Sequence, residues 1–126
     1  MTAETAWAHL PNAKHIDAVL ADVKARPEAW TTARSAVQDA VQDAAWDAAW
    51  DAARTAARRA AWDAARDAAW DVAWNAIAAL VTWDSSADLL DCTPDVLRTM
   101  IDLAEPPVCH QAALLLPSAI VRSNDK

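Results

Sequence analysis

The chain of 126 residues contains no Gly, no Phe and no Tyr. Without Gly, the φ > 0 turns of tight hairpins lose their usual residue, which argues against a sandwich, barrel or hairpin fold. The same absence removes every Gly-rich phosphate loop, so P-loop and dinucleotide-fingerprint readings fail. Long apolar runs are missing as well, because Asp or Arg interrupts them, and a membrane-crossing helix needs about 20 apolar residues. The first residues, MTAETAWAHLPNAKHIDAV, show neither the basic nor the apolar region of a signal peptide. Two Cys in such a chain read as reduced thiols, so the expected compartment is the cytoplasm. Positive charge is scarce: 11 Lys and Arg face 18 Asp and Glu, a net charge of −7. That balance disfavours a phosphate backbone as partner, and no direct nucleic-acid binding is expected.

What is present is Ala and Trp. There are 34 Ala and eight Trp, against 23 Leu, Ile and Val. Ala buries little area, so this composition builds close-packed helices with Trp supplying core volume. The expected fold is all-α, a compact multi-helix bundle or a short α-solenoid-like stack, in a single domain.

Three regions separate by composition. Residues 1–27 form an N-terminal helical segment, with Asn12 as a cap before a helix over 13–25 and Pro27 closing it. Ile16, Val19, Leu20 and Val23 give that helix an apolar stripe. Residues 28–83 contain neither Gly nor Pro and repeat every four residues. From Trp46 the first tetrad position reads Trp46, Trp50, Arg54, Arg58, Trp62, Arg66, Trp70, Trp74, and the last two are mostly Ala. Residues 84–126 carry more Leu, Ile and Val; Thr93-Pro94 starts a helix and Pro106-Pro107 ends it. Residues 108–121 are nearly continuously apolar and are expected to be the most buried helix, divided by Pro117.

A four-residue step drifts about 40° per tetrad around a helix of 3.6 residues per turn. Over eight tetrads the stripe therefore winds most of the way around. Either the helices supercoil right-handedly or the region breaks into short helices that meet different neighbours. One helix over 28–83 would be about 84 Å long, against a radius of gyration of about 14 Å for a compact chain of this length. Breaks are expected near Thr55–Arg59 and, earlier, near Gln38–Gln42.

Residues four apart on a helix touch, so Trp50–Arg54, Arg58–Trp62, Trp62–Arg66 and Arg66–Trp70 are candidate cation–π pairs. Their plainest use is packing, with Trp46, Trp50, Trp62, Trp70, Trp74 and Trp83 as core residues. A base-stacking ladder fits less well, because Asp lies beside nearly every Trp.

The acidic pattern is the more informative anomaly. Asp39, Asp43, Asp47 and Asp51 stand four apart with no Lys or Arg among them, and Asp63, Asp67 and Asp71 repeat the spacing. Asp84, Asp88, Asp91, Asp95 and Asp102 follow, with only Arg98 nearby to oppose them. Like charges at this spacing each cost a few tenths of a kcal/mol. They form either a solvated face or a docking face for a basic partner protein, with Asp39, Asp43, Asp47, Asp51, Asp84 and Asp88 as the contacting residues. A divalent-metal site is disfavoured, since carboxylates on one straight ladder do not converge.

Catalytic patterns are poor. His9, His15 and His110 are scattered, and Cys109-His110 are adjacent and so face different ways on a helix. No Cys-x₂-Cys or His-x₃-His occurs, so no metal and no cofactor is expected, and the chain does not read as an enzyme.

The run AAWDAAWDAARTAARRAAWDAARDAAWDVAW resembles the Ala/Trp/Arg/Asp-rich helices of immunity proteins from bacterial polymorphic-toxin systems, and similar actinobacterial and phage proteins. The resemblance continues through AIAALVTWDSSADLLD and extends to ALLLPSAIV, covering roughly residues 40–121. It implies a small helical protein that binds and neutralises another protein, possessing no catalytic residue to carry over. A non-enzymatic inhibitor acting by occlusion of a protein partner, a toxin or another basic protein, is therefore the first expectation. The alternatives are a self-assembling structural protein, phage-associated, whose Trp stripes pack against copies of itself, and a DNA-mimic inhibitor whose spaced carboxylates imitate phosphates.

Overall fold

A computed structural model describes residues 7–35, 39–68 and 71–123. Among them are seven α-helices: α1 (Ala13–Ala25), α2 (Pro27–Ser35), α3 (Asp39–Ala52), α4 (Ala56–Ala68), α5 (Asp71–Thr82), α6 (Pro94–Leu103) and α7 (Val108–Ser123). A 3₁₀ helix, Asp84–Leu89, links α5 towards α6, and no strand is present among the described residues. The architecture is an all-α bundle. No helix among the described residues is long and apolar enough to cross a membrane.

Two helices form its axis. α5 packs against α1, α2, α3, α4 and α7, and α7 packs against α2, α3, α5, α6 and the 3₁₀ helix. Ile77, Ala78, Ala79, Leu80 and Val81 of α5 are all fully buried, so this segment is apolar on every side and needs neighbours all round. In α7 every residue from Gln111 to Ala119 is buried. Pro117 does not divide α7, contrary to the sequence expectation; the helix runs through it. An interior Pro costs about 3 kcal/mol through its missing N–H and its ring. Burial of α7 against four helices and the 3₁₀ helix offsets that strain.

The tetrads resolve into short helices rather than a supercoil. The tetrad position just before the Trp/Arg position is fully buried at Ala45 and Ala49 in α3 and at Ala53 just after it, and Ala61 and Ala65 repeat this in α4. Small side chains there bring helix axes close. The break falls after Ala52, slightly earlier than the expected Thr55–Arg59, so each stripe drifts over only a few tetrads before the chain changes direction. Thr55 marks the restart: its Oγ1 accepts from the Arg58 backbone N–H at 3.2 Å. Of the break expected near Gln38–Gln42, residues 39–42 lie within α3, and Gln38 lies outside the described residues.

Pro punctuation fixes the ends elsewhere. Pro27 follows α1 and is also the first residue of α2, so the compositional boundary at 27 falls at the start of a helix. Thr93 caps α6 by accepting from the Val96 N–H, with Pro94 at the first helical position. Asn12 precedes α1 but its side chain does not cap it. Instead its Nδ2 donates to the carbonyls of Leu80 and Trp83, both at 3.0 Å. The end of α5 leaves carbonyls without helical partners, and a buried amide with two donors serves them better than it would serve α1.

Candidate functional site

The described Trp residues are used inside the chain. Trp62, 1% exposed, is the hub. Its ring meets Trp46, Trp50 and Trp74 edge-on at centroid distances of 5.8, 5.2 and 4.9 Å. Trp46 and Trp50 are half-buried and stack in parallel at 6.4 Å along α3. Trp74 is buried, Trp83 is half-buried against the core, and Trp70 lies outside the described residues. Sequence reasoning left out Trp7 and Trp30, which are buried as well. Their indole N–H groups donate to Asp17 (2.9 Å) and Asp22 (2.8 Å), so a buried ring keeps a satisfied polar tip. The indole N–H groups of Trp62 and Trp74 have no hydrogen-bond partner among the described residues.

The expected cation–π pairs within one helix are replaced by a contact between helices. Among the described residues, Arg59 of α4 lies over the Trp50 ring of α3, 3.5 Å from its centroid. Arg54 turns back to the Asp51 carbonyl at 2.7 Å. Arg58 caps the end of α5, donating to the carbonyls of Val81 (2.6 Å) and Thr82 (3.2 Å) and to the Asp84 carboxylate (3.0 Å). The helix break makes the difference: once α4 folds across α5, its Arg residues meet a helix C-terminus, where cations are favoured. Arg66–Trp70 involves a residue outside the description.

The carboxylates fall into two groups. Asp22 accepts from the Nε and Nη2 of Arg26 and from the Trp30 indole; Asp84, Asp91 and Asp95 pair with Arg58, Arg122 and Arg98. The C-terminal acidic group is thus opposed by three Arg, not by Arg98 alone. Asp84 is held in a pair, and Asp88 is exposed. On α3 the pattern differs. Asp43, Asp47 and Asp51 are exposed, and none forms an ion pair among the described residues. Eight residues of helix place them along about 12 Å. Asp63 and Asp67 of α4 are exposed and unpaired in the same sense. Asp39 opens α3, and its side chain lies outside the description.

A second feature was not legible in the sequence. A cleft of about 350 Å³ opens between α1, α2, α7 and the residues around the end of the 3₁₀ helix. Its polar lining comprises His15, Asp22, Arg26, Asp91, Ser118 and Arg122. The four-residue spacing of Asp22 and Arg26 was a usable signal, since it predicts an ion pair on a helix. The approach of Arg122 to Asp91 (3.5 Å) and the Cys92 carbonyl (3.3 Å) depends on how α7 lies and was not. Cys92 and Cys109 are free thiols, both half-buried. Among the described residues, no three His, Cys, Asp or Glu side chains form a group that could hold a metal ion.

Comparison with protein-family models, with curated proteins and with solved structures finds no match to this chain.

Proposed function

We propose that the chain is a non-enzymatic protein-interaction module of the inhibitor or immunity type, which occludes a cationic partner protein through the acidic ridge of α3. One observation carries this reading: Asp43, Asp47 and Asp51 are exposed in one row of three, four residues apart, without cationic partners among the described residues, whereas Asp17, Asp22, Asp84, Asp91 and Asp95 are each engaged by Arg or an indole N–H. An uncompensated row of charge retains its field at the surface, steers oppositely charged partners and repels acidic ones. The buried Ala face of the same helix fixes the ridge to α5 and α7, so the carboxylates stand on a rigid element. The resemblance of the tetrads to toxin-immunity proteins points the same way and names the kind of partner, a toxin. The self-assembly reading loses its main motive, since the Trp stripes pack on each other within the chain.

The test is affinity capture from the source organism with wild-type chain and with the triple variant Asp43→Asn, Asp47→Asn, Asp51→Asn. A protein retained by wild type, lost with the triple variant and kept by Asp95→Asn is expected, with retention falling as salt rises. If every protein retained by wild type is retained equally by the triple variant, the ridge has no docking role. Sedimentation at micromolar concentration distinguishes the structural alternative, and a monomer is expected. A captured protein that releases the chain on addition of duplex DNA identifies the partner as a DNA-binding protein and the ridge as a phosphate mimic.

A further inference from the structure

The cleft beside α7 has walls of two kinds. Buried Val19 and Trp30, with half-buried Leu90, make one wall apolar. Ser118 and Arg122, four residues apart on α7, make the other polar. At about 350 Å³ the space is at the small end of ligand sites, which combine an apolar body with a few placed polar groups.

The polar wall is under-used by the chain itself. Ser118 is only 5% exposed and its hydroxyl forms no hydrogen bond among the described residues; it lines the cleft rather than being sealed in the core. Buried hydroxyls are ordinarily bonded, and a mid-helix Ser can satisfy itself on the carbonyl four residues back. One turn on, Arg122 is held by long contacts of 3.3 Å to Cys92 and 3.5 Å to Asp91, and its buried Nε has no partner. Asp91 is fully exposed on its side of the cleft. Asp22, by contrast, has both oxygens taken by Arg26 and Trp30. A simple anion entering here meets the repulsion of Asp91, and a simple cation meets Arg122. A molecule that carries both charged groups on one carbon meets neither penalty.

We propose that this cleft binds a free α-amino acid with an apolar side chain. Its carboxylate takes the Ser118 hydroxyl and the Arg122 guanidinium, its ammonium takes Asp91, and its side chain lies against Val19, Trp30 and Leu90. This site is separate from the α3 ridge and does not rest on the function proposed for it.

Isothermal titration calorimetry of the full chain with L-leucine tests the assignment, with 4-methylpentanoate and 3-methylbutan-1-amine as analogues lacking the ammonium and the carboxylate. Saturable one-site binding of leucine is expected, at least tenfold tighter than either analogue. Ser118→Ala and Arg122→Gln should each weaken leucine at least tenfold. Asp91→Asn should weaken leucine in the same way while leaving 4-methylpentanoate unchanged or improved, a reversal that general loss of structure does not produce. Thermal melts accompany each variant; Ser118→Ala removes only an unpartnered hydroxyl and Asp91 is fully exposed, so these two carry the test if Arg122→Gln fails to fold. Absence of saturable leucine binding at millimolar concentration overturns the proposal, as does leucine binding unchanged in both Ser118→Ala and Asp91→Asn. Equal affinity for leucine and 4-methylpentanoate overturns the pairing of an ammonium with Asp91.

Discussion

Trp62→Ala should be among the most damaging single substitutions in the chain. Trp62 is 1% exposed and meets three other Trp rings at centroid distances of 4.9, 5.2 and 5.8 Å, joining α3, α4 and α5. Truncating a buried Trp costs about 3–5 kcal/mol, and each aromatic pair adds about 0.5–1.5 kcal/mol beyond its burial. Taking about 4 kcal/mol and a urea slope near 2 kcal/mol per molar, the midpoint should fall by about 2 M. Native stabilities of about 5–15 kcal/mol leave such a variant marginal. Trp62→Phe should cost less than half as much. It leaves a smaller gap, and it removes an indole N–H that is buried without a partner among the described residues, a group that itself costs about 1–3 kcal/mol. Urea unfolding followed by far-UV circular dichroism gives the midpoints, and near-UV dichroism reports the ring cluster. A midpoint shift below about 0.5 M for Trp62→Ala would refute the assignment of Trp62 as the hub.

Two further substitutions separate tertiary roles from local ones. Asn12→Asp should destabilise by at least as much as Asn12→Ala, about 1–3 kcal/mol by thermal melting, although Asp is as good a helix cap as Asn; the carboxylate would face the Leu80 and Trp83 carbonyls that the amide now serves, and an unchanged melt for Asn12→Asp would return this residue to a capping role. Arg58→Met should cost about 1–3 kcal/mol in urea unfolding through the lost bonds to Val81 and Thr82, while Asp84→Asn, at a half-exposed pair, should cost under about 1 kcal/mol. Equal costs would show that the ion pair, not the cap on α5, is what Arg58 contributes.

The parts of the fold that were legible in the sequence are those punctuated by Pro or by patterned aliphatic residues. Pro27 and the Ile16–Val23 stripe place α1, and Thr93-Pro94 places the start of α6, because these signals act on their own neighbours in sequence. Inside the tetrads the punctuation is weak. Ala, Arg, Asp and Trp all tolerate helix, so the break after Ala52 is marked only by Thr55, a capping residue whose meaning depends on where α4 lies. Long-range polar contacts were not readable at all. Arg58 and Asp84 are 26 positions apart, and Asn12 and Trp83 are 71 apart; both contacts exist because α5 ends where α1 and α4 pass it. The exposure of Asp43, Asp47 and Asp51 follows from spacing, since Ala at 45, 49 and 53 takes the opposite face. The charged cleft does not, because its walls come from four separated segments.

The acidic ridge is not bare for lack of nearby cations. Arg54 and Arg59 follow α3 closely, yet one bonds a backbone carbonyl and the other stacks on Trp50, and neither reaches a carboxylate of the ridge. The helix therefore keeps a repulsion of a few tenths of a kcal/mol between each adjacent pair. Asp47→Lys measures what that repulsion is retained for. Lysine at this position removes two unfavourable contacts and creates attractive ones to Asp43 and Asp51, so it should stabilise the chain by about 1 kcal/mol at low salt, less as salt rises. If the ridge docks a cationic partner, the same substitution should reduce affinity by more than Asp47→Asn does, because it adds a like charge as well as removing an attractive one. Stability is read from the urea midpoint and affinity from titration of the captured partner, each at two ionic strengths. Opposite signs in the two measurements are the expected result, a stability cost held at a working surface. Stabilisation with unchanged affinity would make the ridge an ordinary solvated face, and destabilisation would show that Asp43 and Asp51 do not flank position 47 as the helix places them.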